Sequence, residues 1–370
     1  MKVKFFDYKG FCNDLNYEIL LKEVLESGYL IGGPFIDQLE HEIQSFTGIK
    51  HCVCVGNATD AMEIIFDFLK LPRNSKVLVP SHTMLATASA AKSQNLNPIP
   101  VDVNSKSLMV EVEQLRRCDL KNVSAIMITQ LNGLVADMEP IKDFCDEKDI
   151  VLIEDSAQAI GAFNNGKHAG SWGIGGCLSF YPAKIIGCLG DGGALITNSQ
   201  ELAEFARSVR DHGRGKGLEA IHWGRNTRLD SLNARVILER LKQINYLIKK
   251  RRELAEIYFK NLKTLENKGY ITLPSKFSTN SPNLSTFQNF EIHAQKRDEL
   301  VNFLNERSIG TIKQWGGFSI AHFSKLGYDL RDFPSVRDLF NKLLLLPMNH
   351  LVKEEEVQYV ADNVIQFYER

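Results

Sequence analysis

Residues 179–193 read Ser179-Phe180-Tyr181-Pro182-Ala183-Lys184-Ile185-Ile186-Gly187-Cys188-Leu189-Gly190-Asp191-Gly192-Gly193. A strand-like run ends in a lysine, and the turn that follows holds four glycines. A surface lysine needs no such turn. A buried amine does have a use there: desolvation lowers its pKa and frees the lone pair for imine chemistry. The glycines let the backbone approach a flat ligand closely. Strand-like residues at 178–181 and 194–197 lie on either side of the turn and predict a hairpin.

Working outward, short apolar runs at 52–55, 77–79, 99–103, 125–129 and 150–153 alternate with segments of helical period. Ile36, Leu39, Ile43 and Phe46 mark a helix over 36–46, and Ala61, Ile64, Ile65 and Phe68 mark another. Residues 83–94 and 138–148 have helical length. This rhythm predicts an α/β fold with a mostly parallel sheet between helices. Downstream, Leu232, Val236, Leu241, Ile244, Ile248, Leu254, Ile257 and Leu262 predict one long helix over about 230–268, bridging two domains. Beyond Gly269, strands are expected around Phe287–Ile292 and at 309–312, with helices at 297–307, 335–346 and 353–370. The expected division is a large domain over 1–240 and a small C-terminal α+β domain over 241–370.

Composition excludes several classes. Lys plus Arg is 44 and Asp plus Glu is 45, giving a net charge of −1 over 370 residues. That offers no basic footprint for nucleic acid and no polybasic membrane patch. No apolar run approaches the ~20 residues of a membrane span, and residues 1–10 lack the apolar core of a signal peptide. The seven cysteines all lie between Cys12 and Cys188, and Cys52 with Cys54 matches no common zinc spacing. Buried thiols in a reducing cytoplasm are the expectation, with no metal.

Three further segments carry more polar character than a core requires. Gly56-Asn57-Ala58-Thr59-Asp60 lies between a strand and a helix, where backbone N–H groups make either a phosphate cradle or an ordinary cap. Ile153-Glu154-Asp155-Ser156-Ala157-Gln158 ends an apolar strand, where open α/β sheets place ligands. Gly224-Arg225-Asn226-Thr227-Arg228-Leu229-Asp230 precedes a helix, with two arginines able to read phosphate or carboxylate. Together with Lys184, these describe a pyridoxal phosphate (PLP) site: an imine-forming lysine, an Asp for the ring nitrogen and a phosphate cradle.

The segments 80–83, 154–158, 179–184, 190–194 and 226–230 resemble those of the DegT/DnrJ/EryC1/StrS sugar aminotransferases. These are fold type I, aspartate aminotransferase-like PLP enzymes. The resemblance runs from about Gly28 to the end and is weakest over 270–330. It implies a seven-stranded, mostly parallel sheet and a catalytic Lys184 that binds the cofactor and shuttles its proton. It implies further that Asp155 holds the ring nitrogen protonated and that Gln158 lies near the phenolate oxygen. Ala58, Thr59 and Ser179 would hold the phosphate, with Asn226 reaching it from the partner of a homodimer. Two positions depart from the family pattern. Ala58 replaces a glycine of the cradle, and Met84 stands where a stacking aromatic is usual. Substrate contacts are expected from His82, Tyr181, Arg214 and Arg228.

The function so implied is transfer of an amino group, from glutamate as the expected donor, to a nucleotide-linked keto-sugar. Gly190-Asp191-Gly192-Gly193 and Asn226-Thr227-Arg228-Leu229-Asp230 lean toward amination at C3, in amino-sugar and surface-glycan synthesis in the cytoplasm. A cyclitol ketone or small keto-phosphate is the alternative substrate, Gln314-Trp315-Gly316-Gly317 being unusual. A non-catalytic PLP-fold regulator would be expected to have lost Lys184 or Asp155.

Overall fold

The computed structural model describes residues 1–215, 217–275 and 283–370. The alternation read from the sequence becomes strands β1 (His51–Val55), β2 (Lys76–Pro80), β3 (Asn97–Val101), β4 (Val123–Thr129), β5 (Val151–Asp155), β6 (Gly176–Ser179) and β7 (Gly193–Thr197). They form one seven-stranded sheet in the order β1-β7-β6-β5-β4-β2-β3. β2, β3, β4, β5 and β6 pair in parallel, and β7 runs antiparallel to both β6 and β1. The expected hairpin across the glycine-rich turn is therefore β6–β7.

The strands are buried because both faces are covered. Val53, Val55, Val77, Val79, Met127 and Leu195 pack with the helix Ala58–Leu69 on one side. On the other, Cys52, Cys54, Leu178, Ala194 and Ile196 meet the helices Pro34–Thr47 and Ser231–Leu241. Cys52 and Cys54 do share a face, and both are free buried thiols.

Beyond residue 243 a second core forms. Strands β8 (Ile271–Thr272), β9 (Phe290–Ala294) and β10 (Leu343–Leu346) make an antiparallel sheet in that order. The helices Ile244–Asn267, Arg297–Glu306 and Glu354–Tyr368 cover it, around Leu254, Tyr258, Leu262, Phe290, Leu300, Val357 and Val360.

Three expectations are corrected. The single helix over 230–268 is two, Ser231–Leu241 and Ile244–Asn267, because Gln243 leaves the helical region with φ −101° and ψ 3°. No Gly or Pro marks the break. The kink lets Leu241, Ile244 and Ile248 stay with the large-sheet core while Leu254 and Leu262 reach the second one. The helix expected over 335–346 stops at Phe340 and gives way to β10. Residues 309–312 form only isolated bridges, Val3 with Ile309 and Ile312 with Leu345.

Candidate active site

The carboxyl ends of β4 and β5, the N-terminus of the helix Ala58–Leu69 and the β6–β7 turn converge, as an open α/β sheet requires of a ligand crevice. Lys184 sits just beyond β6, in a turn closed by hydrogen bonds from Lys184 N to Tyr181 O at 2.8 Å and from Gly187 N to Lys184 O at 3.0 Å. A Cβ on Gly187 would lie 2.3 Å from the Pro182 carbonyl oxygen, so only glycine lets the chain pass there. Burial pushes the Lys184 ammonium down to about 8, against the opposing pull of Asp155 and Cys177. The amine is thus far closer to its free-base form at neutral pH than an exposed lysine.

Asp155 ends β5 and is 6 % exposed. Its Oδ2 accepts from Thr87 Oγ1 at 2.7 Å, and its Oδ1 from Ala157 N at 3.2 Å and Cys177 Sγ at 3.4 Å. The neighbouring Glu154 points into the core. It accepts from the backbone of Gly170, Trp172 and Gly173 and from Gln130 Nε2. Gln158 accepts at Oε1 from Asn132 N at 2.9 Å.

At the helix N-terminus, Asn57 caps by accepting from Asp60 N at 2.9 Å. The N–H groups of Ala58 and Thr59, in the first turn, have no intrahelical acceptor and form the positive end of the helix dipole. Gly193 packs beneath them: a Cβ would lie 2.4 Å from Asn57 C and 2.5 Å from Ala58 N. Thr227 Oγ1 accepts from Gly56 N at 3.0 Å and donates to Asp60. Ser179, the last residue of β6, is half-buried, and its Oγ accepts from Tyr181 N.

Asn226 is exposed and accepts at Oδ1 from Arg228 Nε, while Arg228 and Arg214 share the Asp211 carboxylate. Met84 is exposed at the start of the helix Leu85–Ser93. Tyr181 is 46 % exposed, and its hydroxyl pairs with that of Tyr8, pushing the Tyr8 phenol up to about 12. His82 is packed rather than presented. It is 2 % exposed, its ring meets Trp315 and Phe340 edge-on, and Nδ1 lies 3.3 Å from Leu108 O. Gln314-Trp315-Gly316-Gly317 is a distorted 3-10 turn whose Trp315 also stacks on Phe340.

Sequence reading missed Thr87, Asn132 and Gln288. Gln288 holds the lysine turn from outside, accepting from Ile185 N at 3.2 Å and donating to Ala183 O at 2.9 Å. Thr87 alone left a trace: it follows Thr83 by one helical turn, a polar pair on a face otherwise filled with alanine.

The profile of the DegT/DnrJ/EryC1/StrS aminotransferase family matches residues 14–365. The chain belongs to that family. Among curated members it is 32 % identical to the "Pleiotropic regulatory protein" of Geobacillus stearothermophilus, over 100 % of this chain and 99 % of the relative. It is 30 % identical, over 94 % of each chain, to the dTDP-3-amino-3,6-dideoxy-alpha-D-galactopyranose transaminase of Aneurinibacillus thermoaerophilus. The structure of S. venezuelae DesV in complex with a ketimine intermediate superposes with a TM-score of 0.93 at 28 % identity, covering 100 % of this chain and 99 % of that one. The family's aminotransferases depend on pyridoxal phosphate. The residues present fit that group: a desolvated amine, a carboxylate fixed by donors, and unpaired helix N–H groups over a glycine that leaves room for them.

Proposed function

We propose that this chain is a PLP-dependent aminotransferase acting on a nucleotide-linked keto-sugar, at C3 of the sugar, for amino-sugar and surface-glycan synthesis. The desolvated Lys184 facing Asp155 carries the reading. Pyridoxal phosphate bound here would supply an aldehyde to take up the amino group and a ring to spread the electron pair left on carbon when the proton is removed. The protein does the rest. Lys184 Nζ would take the proton from the reacting carbon of the donor, glutamate, and hand it on to the cofactor; with the keto-sugar it would carry a proton the other way, onto the sugar carbon that is aminated. Asp155, pinned by Thr87, keeps a proton on the ring nitrogen. Thr59, Ser179 and the N–H groups of Ala58 and Thr59 bind the phosphate. Met84 supplies a polarizable thioether to the ring face. Tyr181, Arg214 and Arg228 meet the substrate.

A second copy completes the site. Trp223, Leu218 and Ile221 are 97 %, 87 % and 65 % exposed on one segment, an apolar surface that monomers seldom leave open. Thr227 is buried against its own Gly56 while Asn226 faces outward, free to reach a partner's phosphate cradle. Free buried thiols favour a reducing compartment, the cytoplasm. Among the described residues no helix is long and apolar enough to cross a membrane. The separate core around β8–β10 supports a division near residue 240 into a large cofactor domain and a small C-terminal one.

Purified protein supplied with glutamate should aminate dTDP- or UDP-linked 3-keto-sugars and leave the 4-keto isomers and free cyclitol ketones untouched. Turnover confined to the 4-keto sugars would overturn the C3 assignment, and turnover confined to free ketones the nucleotide-sugar one.

A further inference from the structure

Gln158 makes one hydrogen bond that decides its orientation. Asn132 N donates to it, and an N–H can only donate, so the atom facing Asn132 must be the carbonyl Oε1. The NH2 end is left free, without a partner among the described residues. The site is therefore offered a donor and not an acceptor.

What holds Asn132 lies far away in sequence. Its φ is +55°, in the left-handed region that Asn tolerates, and Gly133 follows at +81°. Asn132 Nδ2 donates to Glu291 Oε2, and Asn132 Oδ1 accepts from Asn289 Nδ2 at 2.7 Å and Gln314 Nε2 at 3.3 Å. Glu291 is 5 % exposed and its other oxygen lies 3.0 Å from His293 Nε2. Gly133 O accepts from Thr286 N at 2.9 Å, and a Cβ on Gly133 would strike Thr286 and Gln288. The strand β9 and its approach thus grip the Asn132–Gly133 turn from the second core.

We propose that Asn132 is a positioning residue: Glu291, Asn289 and Gln314 hold it in the left-handed turn whose N–H keeps the Gln158 amide donor aimed at the cofactor's phenolate oxygen. This rests on the PLP reading above. A fixed donor beside that oxygen favours its ionised form and lowers the pH at which the bound cofactor's visible band titrates.

The test uses holoenzyme. Asn132→Gly keeps the backbone conformation and removes the side-chain grip. It should raise the titration midpoint of the visible band by about one pH unit, and lower kcat roughly fivefold to tenfold with little change in KM for the keto-sugar. Gln158→Leu should shift the midpoint in the same direction, and the double variant should match Gln158→Leu alone. Glu291→Gln keeps an acceptor for Asn132 and should stay near wild type, whereas Glu291→Leu should behave like Asn132→Gly. The Glu291 pair carries the test if Asn132→Gly fails to fold. Midpoints unchanged in Asn132→Gly and Glu291→Leu, or shifts that add to that of Gln158→Leu, overturn the inference alone. A wild-type protein that takes up no PLP overturns the functional reading and this inference with it.

Discussion

Thr87 Oγ1 donates to Asp155 Oδ2 across 2.7 Å, and that bond orders a chain of hydroxyl groups behind it. Thr87 has one proton and spends it on the carboxylate, so Thr83, 2.7 Å away, must donate to Thr87. Thr129, 2.9 Å from Thr83, must then donate to Thr83. Three hydroxyls, on β4, on the helix Leu85–Ser93 and in the loop before it, point their protons toward one carboxylate and keep it an acceptor, as its proposed role toward the ring nitrogen requires.

Replacing Thr87 by Val should leave the fold intact but withdraw a donor from a buried carboxylate, at a cost of about 1–3 kcal/mol. Thermal unfolding of the variant should move down, and its holoenzyme should lose PLP faster on dilution. Thr87→Ser should restore both.

Lys184 sets the pH behaviour. Below about pH 8 its amine is protonated and has no lone pair; above that it is free. Uptake of PLP by the apoprotein should therefore accelerate up to about pH 8 and level off, rather than climbing toward 10.5. The sign for stability follows from proton counts. Between about 8 and 10.5 the unfolded chain holds the proton that the folded chain has released, so this group makes stability rise with pH across that window. Apo Lys184→Met should melt above wild type at pH 7, with the gap closing toward pH 10.5. Lys184→Ala should abolish turnover; full turnover would sink the catalytic assignment.

Arg251 is buried and donates through Nη1 to the carbonyls of Phe287, Gln288 and Met348, each at 3.1 Å. Burial pushes its pKa down to about 10. Arg251→Met would orphan three carbonyls, on the order of 3 kcal/mol or more. Urea denaturation should show the loss. Because Gln288 also holds the lysine turn, kcat should fall as well.

Trp223 is 97 % exposed. If the proposed dimer supplies Asn226 across its interface, Trp223→Glu should shift sedimentation from dimer to monomer and remove activity at dilute protein. A variant that sediments as wild type would count against the apolar patch as the dimer contact.

The parallel sheet was legible because each strand is a short apolar run between helical segments, and the lysine turn because its glycines have no structural excuse elsewhere. β10 was hidden for a physical reason. Leu343 and Leu345 enter one core while Leu344 and Leu346 enter the other. A strand buried on both faces shows no alternation, and four leucines read equally well as helix. The contacts that tune the site were hidden by distance along the chain. Thr87 and Asp155 are 68 residues apart, Asn132 and Glu291 159. No periodicity encodes such a pairing. His82 was expected to meet the substrate on the resemblance alone, and no pattern in the sequence shows that its ring is buried against Trp315.

Gly193, under the helix N-terminus, has a consequence for how this turn can vary. A methyl group there would collide with backbone at Asn57 and Ala58, which no rotamer change can relieve. As at Gly187, a position of the turn can be irreplaceable without being the residue that reacts. Saturation mutagenesis across 187–193 should find Gly193 as intolerant as Lys184, for opposite causes: one position must carry a reactive atom, the other must carry none.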